Sequence, residues 1–317
     1  MKININKIIA LSPMAGYSNF SFRYLIGKYG ADLTLSEFIN VEYFRRLNKK
    51  IKLKRIVKCP KNSFSGVQFF GTNPEAFRDT ILIINEMNYT YKPKFIDINM
   101  GCPAPKVVRT GAGALLLENK ELIKKIANTF QKYCELKYTA KLRIPQNQSD
   151  LFEIIKILED CSFFAITLHA RTKNQNYSSQ PNIDIYHKLK DKFNIPIIAN
   201  PSINSPIQAD YFLNKINCDG VMIGRAALLN PFIFSQIKEY FKTKTFEPIT
   251  LNKKIKFFLE YLKVSIKNKE DFSYSKKFAL KLFRGFYKAT KLRLKISKTN
   301  SFEELAKIVE EFGRNQL

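Results

Sequence analysis

Short apolar runs recur along the first three-quarters of the chain, at residues 7–10, 31–35, 64–69, 95–99, 138–142, 163–168, 196–199 and 220–223. Amphipathic stretches separate most of them. Runs this short and this apolar read as buried strands, and the stretches between them as helices. Alternation of the two argues for a parallel sheet with crossover helices. Eight such units predict a closed (β/α)8 TIM barrel over residues 1–240. An open doubly wound sheet loses support because no GxGxxG follows the first strand.

The polar residues fall in a pattern. Pro13, Met14, Glu37, Gln68, Asn99, Cys102, Lys141, His169, Asn200, Gly224 and Arg225 all sit where a strand ends and its loop begins. In a barrel those positions share one rim, where the active sites of this fold lie. The stretch FIDINMGCPAP, residues 95–105, is the sharpest case: a buried strand opens onto a Gly/Pro loop that carries one thiol. Read alone, it is equally a buried strand and a turn with a small apolar cysteine.

Several helix starts are marked. Asn19 or Ser18 caps the first helix, Pro74 opens the third-strand crossover at the position proline favours, and Ser149 caps a helix reaching about 159. Beyond residue 240 the strand pattern stops. Residues 241–317 read as a small all-helical domain, with helices at 251–267, 275–290 and 302–312.

That segment holds nineteen Lys or Arg against eight Asp or Glu. Between Phe272 and Phe302 there is no acid, while Lys276, Lys277, Arg284, Lys288 and Arg293 are among nine cations interleaved with Phe283, Phe286 and Tyr287. A basic helical face with aromatics is a nucleic-acid surface in outline. A second cluster, nine cations within residues 45–61, reads as a solvated loop or a phosphate-facing patch. Overall the chain carries 53 Lys or Arg against 27 Asp or Glu, which suits a polyanionic partner. An AT-rich genome would also raise lysine, but it explains the local clustering less well.

No apolar run is long enough for a transmembrane helix, and the N-terminal apolar run is too short for a signal peptide, so no membrane role is expected. The five cysteines are scattered with no CxxC pair. This argues against a disulfide framework or a bound structural metal and for a cytoplasmic protein.

The chain resembles the tRNA-dihydrouridine synthases, flavin enzymes built from a (β/α)8 barrel and a small C-terminal helical domain. The matching stretches are SPMAGYSNFSFR, the strand end with Gln68, DINMGCPAPKV, GAGALLL, KLR at 141–143, HARTKNQNY, IPIIAN and DGVMIGRAALLNPFIF, with FRGFYKATKLR as a worn C-terminal signature. They occur in the family's order over about residues 7–235. The HARTK form leans toward the bacterial B-like branch.

The resemblance implies FMN as cofactor, NADPH as reductant and tRNA as partner. Pro13, Met14 and Ala15 would form the loop under the flavin, and Gln68 and Lys141 would contact its ring. His169 would lie beside the cofactor. Asn200, Pro201, Ser202, Gly224 and Arg225 would wrap the FMN phosphate. Asn99 and Arg171 would meet the uridine, the basic tail residues Lys276, Lys277, Arg284, Lys288 and Arg293 would hold the tRNA, and Cys102 would be the general acid. A thiol suits that role, since an ordinary thiol keeps its proton near pH 7. A monomer is the default expectation.

Departures from the family's pattern are Pro201-Ser202 in place of a Gly-Asp pair, Ser178-Ser179 in place of a glycine, and no histidine near Gly285. Two other readings fit parts of the chain. One is an FMN barrel acting on a free pyrimidine or dihydroorotate, which would need no basic tail. The other is an RNA-binding protein that kept the fold without catalysis.

Overall fold

The computed structural model describes residues 7–47, 58–87, 90, 92–176 and 178–314. Most of the basic 45–61 cluster, residues 48–57, lies outside them, as does Tyr177 of the HARTKNQNY stretch.

Eight parallel strands close into one barrel in sequence order. They are β1 (Ile8–Leu11), β2 (Leu33–Asn40), β3 (Phe64–Phe70), β4 (Phe95–Met100), β5 (Lys137–Ile144), β6 (Ala165–Thr172), β7 (Ile197–Ala199) and β8 (Gly220–Ile223). Strand β8 returns to β1 with Ile8 opposite Gly220 and Leu11 opposite Ile223. The expected (β/α)8 architecture is therefore the observed one.

The barrel interior is layered. At the strand starts, Ile8, Leu33, Phe64, Phe95, Ala165 and Ile198 belong to a small apolar plug. The Phe64 and Phe95 rings stack there with centroids 5.4 Å apart. Gly66 leaves them room, since a Cβ at that position would lie 2.5 Å from the Phe95 ring. Above the plug the inward positions turn polar, and this change of layer creates the site. The large core lies outside, between strands and helices.

Three strands run further than their apolar stretches indicate. β2 continues to Asn40 through an irregularity between Leu35 and Phe38. β5 reaches Ile144 and β6 reaches Thr172, so His169 and Arg171 join Lys141 as strand residues on the inner wall. Alternation still holds, but the inward members here are polar, which hides the strand from a hydrophobicity reading.

Capping explains the helix starts. The Asn19 side chain accepts from the Phe22 N–H at the head of Phe20–Lys28. Asn147, not Ser149, caps Gln148–Asp160; Ser149 is already inside the first turn and donates its hydroxyl to Asn147 at 2.9 Å.

The last barrel helix, Ile233–Thr243, ends on Lys244 with φ of +58°, so the expected boundary at 240/241 falls within that helix. Four helices follow: Leu251–Lys267, Phe272–Leu282, Ala289–Lys298 and Phe302–Arg314. The single helix expected over 275–290 is broken. Phe283–Lys288 forms a turn with Gly285 at φ +82° and Lys288 at φ +56°, backbone that no α-helix can hold.

These helices sit on the barrel helix Phe20–Lys28. The Phe22 and Phe278 rings meet edge to face at 5.0 Å. Asn19 donates to the Tyr261 hydroxyl and to Glu270, both at 2.9 Å. Buried aromatic pairs with satisfied polar links fix one element against another.

Candidate active site

Register brings the first group of residues together. Gln68 on β3 stands opposite Asp97 on β4, and Asp97 opposite Thr139 on β5. One rung higher, Asn99 stands opposite Lys141. The Thr139 hydroxyl donates to Asp97 Oδ1 at 2.5 Å, and Gln68 Nε2 donates to Asp97 Oδ2 at 2.7 Å. Asn99 Nδ2 donates to Gln68 Oε1 at 2.8 Å. Asn99 Oδ1 in turn accepts from the backbone N–H groups of Gly101 (3.2 Å) and Cys102 (2.9 Å). A continuous chain of hydrogen bonds thus runs from the buried wall to the loop that carries the thiol.

Asp97 is buried and has no guanidinium or ammonium bonded to it. Burial raises its pKa to about 6, against the opposing pull of Thr139, Gln68 and the Lys141 charge. Lys141 is lowered to about 8, chiefly by burial of its ammonium, with Asp97 acting the other way and Arg143 adding repulsion. Both shifts follow from moving charge out of water.

His169 is pushed to about 2, first by burial and then by the positive charges of Lys141, Arg143, Arg171 and Arg225. It is neutral at any working pH. Arg171 Nη1 lies 3.2 Å from His169 Nε2. A guanidinium can only donate, so Nε2 accepts and the proton sits on Nδ1.

The cations also tie the loops. Arg143 donates through Nε to the Gly101 carbonyl (3.0 Å) and through Nη1 to those of Thr172 (2.7 Å) and Gln175 (3.2 Å). It therefore links the Cys102 loop to the loop after β6. Arg171 donates to the Ser179 carbonyl at 2.8 Å and to Ser202 Oγ at 3.1 Å. This places Arg171 at the β7 loop, beside the expected phosphate cup.

The Cys102 loop is packed from behind. Gly113 has φ of +63°, and a Cβ there would come within 2.5 Å of the Cys102 carbonyl oxygen. The Ala114 N–H donates to that oxygen at 3.0 Å.

The β7 and β8 loops complete the rim. Asn200 spends its Nδ2 on the Met222 carbonyl at 2.6 Å, which joins β7 to β8. Pro201 is buried, and Ser202 takes φ of +51°. Gly224 is open on the side of Ser12 and Met14, whose nearest atoms would lie 3.6 Å and 4.0 Å from an added Cβ. Arg225 is exposed next to it. In the first loop, Ser18 Oγ accepts from the Met14 N–H at 2.9 Å, while Pro13 and Met14 are half-buried and Ala15 exposed.

Most rim residues expected from sequence therefore meet at one end of the barrel. Two differ in detail. Gln68 has no exposed surface and lies beneath the mouth, with one amide hydrogen left after Asp97. Asn99 faces inward on the same chain of bonds, again with one N–H to spare. Sequence reasoning missed Asp97, Thr139, Arg143 and Tyr186, whose hydroxyl donates to the Leu168 carbonyl at 2.8 Å. For Asp97 a signal existed: a charged residue at an alternate position inside an apolar run.

The basic tail is only partly at the mouth. Lys277 is exposed and lies beside Gly16 of the first loop, with its Nζ 3.8 Å from where a Cβ would stand. Arg284 and Lys288 are exposed. Lys276 instead donates to the Thr299 carbonyl at 2.8 Å, between two helices of the tail. Arg293 is half-buried, with its Nη2 3.4 Å from Thr290 Oγ1.

Among the described residues no group of His, Cys, Asp or Glu is arranged to hold a metal ion, and no helix is long and apolar enough to cross a membrane.

Comparison with known proteins agrees with this geometry. The family described as Dihydrouridine synthase (Dus) matches residues 9–316. The tRNA-dihydrouridine synthase B of Pasteurella multocida is 35% identical over 258 residues, covering 80% of this chain and 76% of that one. The protein of the same name from Escherichia coli K12 is 35% identical, covering 75% and 73%. A probable tRNA-dihydrouridine synthase of Aquifex aeolicus is 29% identical over 98% of this chain and 97% of its own. Among solved structures, histamine dehydrogenase from Rhizobium sp. 4-9 shares the fold at a TM-score of 0.52 and 10% identity, with 73% of this chain and 45% of that one covered. The match spans the barrel and the helical tail alike, and it includes the loop that the bonds from Asp97 hold in place: the chain belongs to the dihydrouridine synthase family.

Proposed function

We propose that this protein reduces the 5,6 double bond of uridines in tRNA to give dihydrouridine, with FMN as cofactor, NADPH as reductant and Cys102 as proton donor. Uridine, NADPH and a proton become dihydrouridine and NADP⁺. The observation that carries this reading is the convergence, at one barrel mouth, of the Cys102 loop and a cluster of four cations around a neutral histidine, within a family match over nearly the whole chain.

The residues present fit FMN. Lys141, Arg143, Arg171 and Arg225 all lie close enough to His169 to oppose its protonation, and positive charge gathered there suits both a phosphate and an anionic reduced ring. Ser202, Arg171, Gly224 and Arg225 lie at the β7 and β8 loops, where barrels of this kind hold phosphate. Pro201 removes one backbone donor from that cup, which leaves Ser202 and the guanidinium groups to do more of the binding. Pro13, Met14 and Ala15 would floor the ring. Lys141 would reach its edge, and Gln68 would offer its remaining N–H from below.

When bound and reduced, FMN would supply the hydride for uracil C6. The protein's part is the proton and the positioning. Asn99 would turn its free N–H to the uracil edge, while its Oδ1 keeps Cys102 in register. The Cys102 thiol would pass its proton to C5 and recover one from solvent. His169, neutral with its proton on Nδ1, would bind without competing for that proton. The uridine must leave its stack to enter, and the exposed tail cations Lys277, Arg284 and Lys288 would hold the phosphates of the folded RNA meanwhile.

The test is a map of dihydrouridine in tRNA from cells lacking the gene, complemented with wild type or Cys102→Ala. We predict that a position loses dihydrouridine, regains it with wild type and not with the variant, and that purified Cys102→Ala is slower by about 10²–10⁴-fold, the usual worth of a positioned general acid. An unchanged map in a strain with no second such enzyme would overturn the reading in favour of an enzyme for free pyrimidines.

A further inference from the structure

The bonds from Asp97 to Cys102 have a direction. An ionised carboxylate only accepts hydrogen bonds. Asp97 therefore draws the nitrogen end of the Gln68 amide toward itself, at 2.7 Å, and the Thr139 hydroxyl at 2.5 Å. Gln68 must then present its oxygen to Asn99, whose Nδ2 donates to it at 2.8 Å. Asn99 must present its own oxygen to the Cys102 N–H, at 2.9 Å. If the Gln68 amide were turned over, acceptor would face acceptor at Asp97 and donor would face donor at Asn99; if the Asn99 amide were turned over, the Cys102 N–H would lose its acceptor. The two ends of the chain agree: Asp97 accepts at one end, the backbone N–H groups of Gly101 and Cys102 donate to Asn99 Oδ1 at the other, and the Gln68 amide between them has one orientation that satisfies both. Protonation of Asp97 need not break the pattern, because the proton can sit on Oδ1 and be donated to the Thr139 hydroxyl, leaving Oδ2 to accept from Gln68.

We propose that Asp97 is a positioning residue: as the fixed acceptor beneath the barrel mouth, it orients the Gln68 and Asn99 amides and through them holds the Cys102 loop. The proposal rests on the reading above only in taking Cys102 as the proton donor. What Asp97 contributes is acceptance, not charge, so Asp97→Asn retains the function. Its Oδ1 accepts from Gln68 while its Nδ2 donates to the Thr139 hydroxyl. Asp97→Ala cannot do this.

The experiment is amide hydrogen exchange on the full-length protein, stripped of bound small molecules so that all variants are compared in one state, followed in a peptide spanning residues 99–104, for wild type, Asp97→Asn and Asp97→Ala. The buried thiols of Cys59, Cys161 and Cys218 are alkylated in parallel as monitors of the global fold. Asp97→Ala should speed exchange at Gly101 and Cys102 by about tenfold, the worth of one lost hydrogen bond, with the three buried thiols still protected. Asp97→Asn should stay within about twofold of wild type.

Wild-type exchange in a folded Asp97→Ala protein would overturn the proposal. So would Asp97→Asn exchanging as fast as Asp97→Ala, since charge would then be the agent. If Asp97→Ala exposes the buried thiols, Gln68→Ala decides instead, because it breaks the same chain one link along and leaves the carboxylate in place. Faster exchange at Cys102 supports the proposal and unchanged exchange overturns it. None of these readouts needs turnover. A wild-type protein that fails to reduce tRNA would remove the functional reading and leave the positioning measured on its own.

Discussion

Each side chain at the mouth takes its state from its neighbours. His169 is the clearest case: burial and four nearby cations push it to about 2, far below the ordinary value near 6.5. In the unfolded chain the same imidazole takes up a proton below about pH 6.5. Acid therefore favours unfolding from that point down to the native pKa, and this contribution to stability returns as pH rises. We predict that in His187→Gln, which leaves His169 as the only histidine, the ring proton resonances stay flat from pH 8 to pH 5. A midpoint near 6.5 would mean that the cation cluster does not act on the ring as its geometry requires. Sequence made the rim residues legible because inward polar positions at strand ends have few structural uses. A charge inside an apolar run marked Asp97, but its role and that of Thr139 stayed hidden because they depend on register across three strands, which no single stretch encodes. The bonds of Arg171, expected to meet the uridine, to Ser202 and His169 could not be read from sequence, because that pairing needs the β6 and β7 ends side by side.

At the scale of elements, the Cys102 loop is held at three places. Asn99 caps it from within, Arg143 clamps Gly101 to the β6 loop, and the turn beginning at Gly113 supports it from behind. Gly113 has both a positive φ and a close approach, with a Cβ falling 2.5 Å from the Cys102 carbonyl oxygen and 2.7 Å from Val107. Backbone cannot yield to that contact as a flexible side chain would. Gly113→Ala should lower stability by about 1–3 kcal/mol and cut activity more than binding of the cofactor, because the loop that moves carries the thiol. Calorimetry and flavin titration check both halves, and a variant as stable and active as wild type would remove this loop's claim to rigidity. The barrel helices were legible from their caps and apolar faces. The tail was not: 275–290 reads as one helix because only Gly285 interrupts good helix formers. The chain breaks there because the buried Lys254 ammonium donates to the Leu282 carbonyl at 3.0 Å and ends that helix, and Gly285 and Lys288 supply the left-handed turn into the next.

For the whole molecule, the question is what the excess of positive charge does. A lysine-rich composition alone would scatter cations evenly, and scattered cations bind RNA weakly and without orientation. Here the tail docks on the helix Phe20–Lys28, just after the first loop, and puts Lys277 beside Gly16 in that loop. Glu37 ties the same junction. Its carboxyl is raised in pKa by burial, and the Tyr274 hydroxyl of the tail donates to its Oε2 at 3.4 Å. RNA held on the tail, as proposed, would thereby be set at a fixed distance from the barrel mouth. The tail cations differ in how free they are to meet such an RNA. Lys277, Arg284 and Lys288 are exposed, whereas Lys276 is spent on the Thr299 carbonyl. Each phosphate contact steepens the fall of log affinity with log salt by about 0.9 on B-form DNA and about 0.7 on single strands, which bracket the value for a folded RNA. Combining Lys277→Ala, Arg284→Ala and Lys288→Ala should therefore flatten the slope for tRNA by about two to three, with the flavin spectrum unchanged. Lys276→Ala should leave the slope as it is and lower the melting temperature, since it frees a helix end. An unaltered slope in the triple variant would assign the tail's charge to composition, and the RNA would then have to be held by the barrel loops.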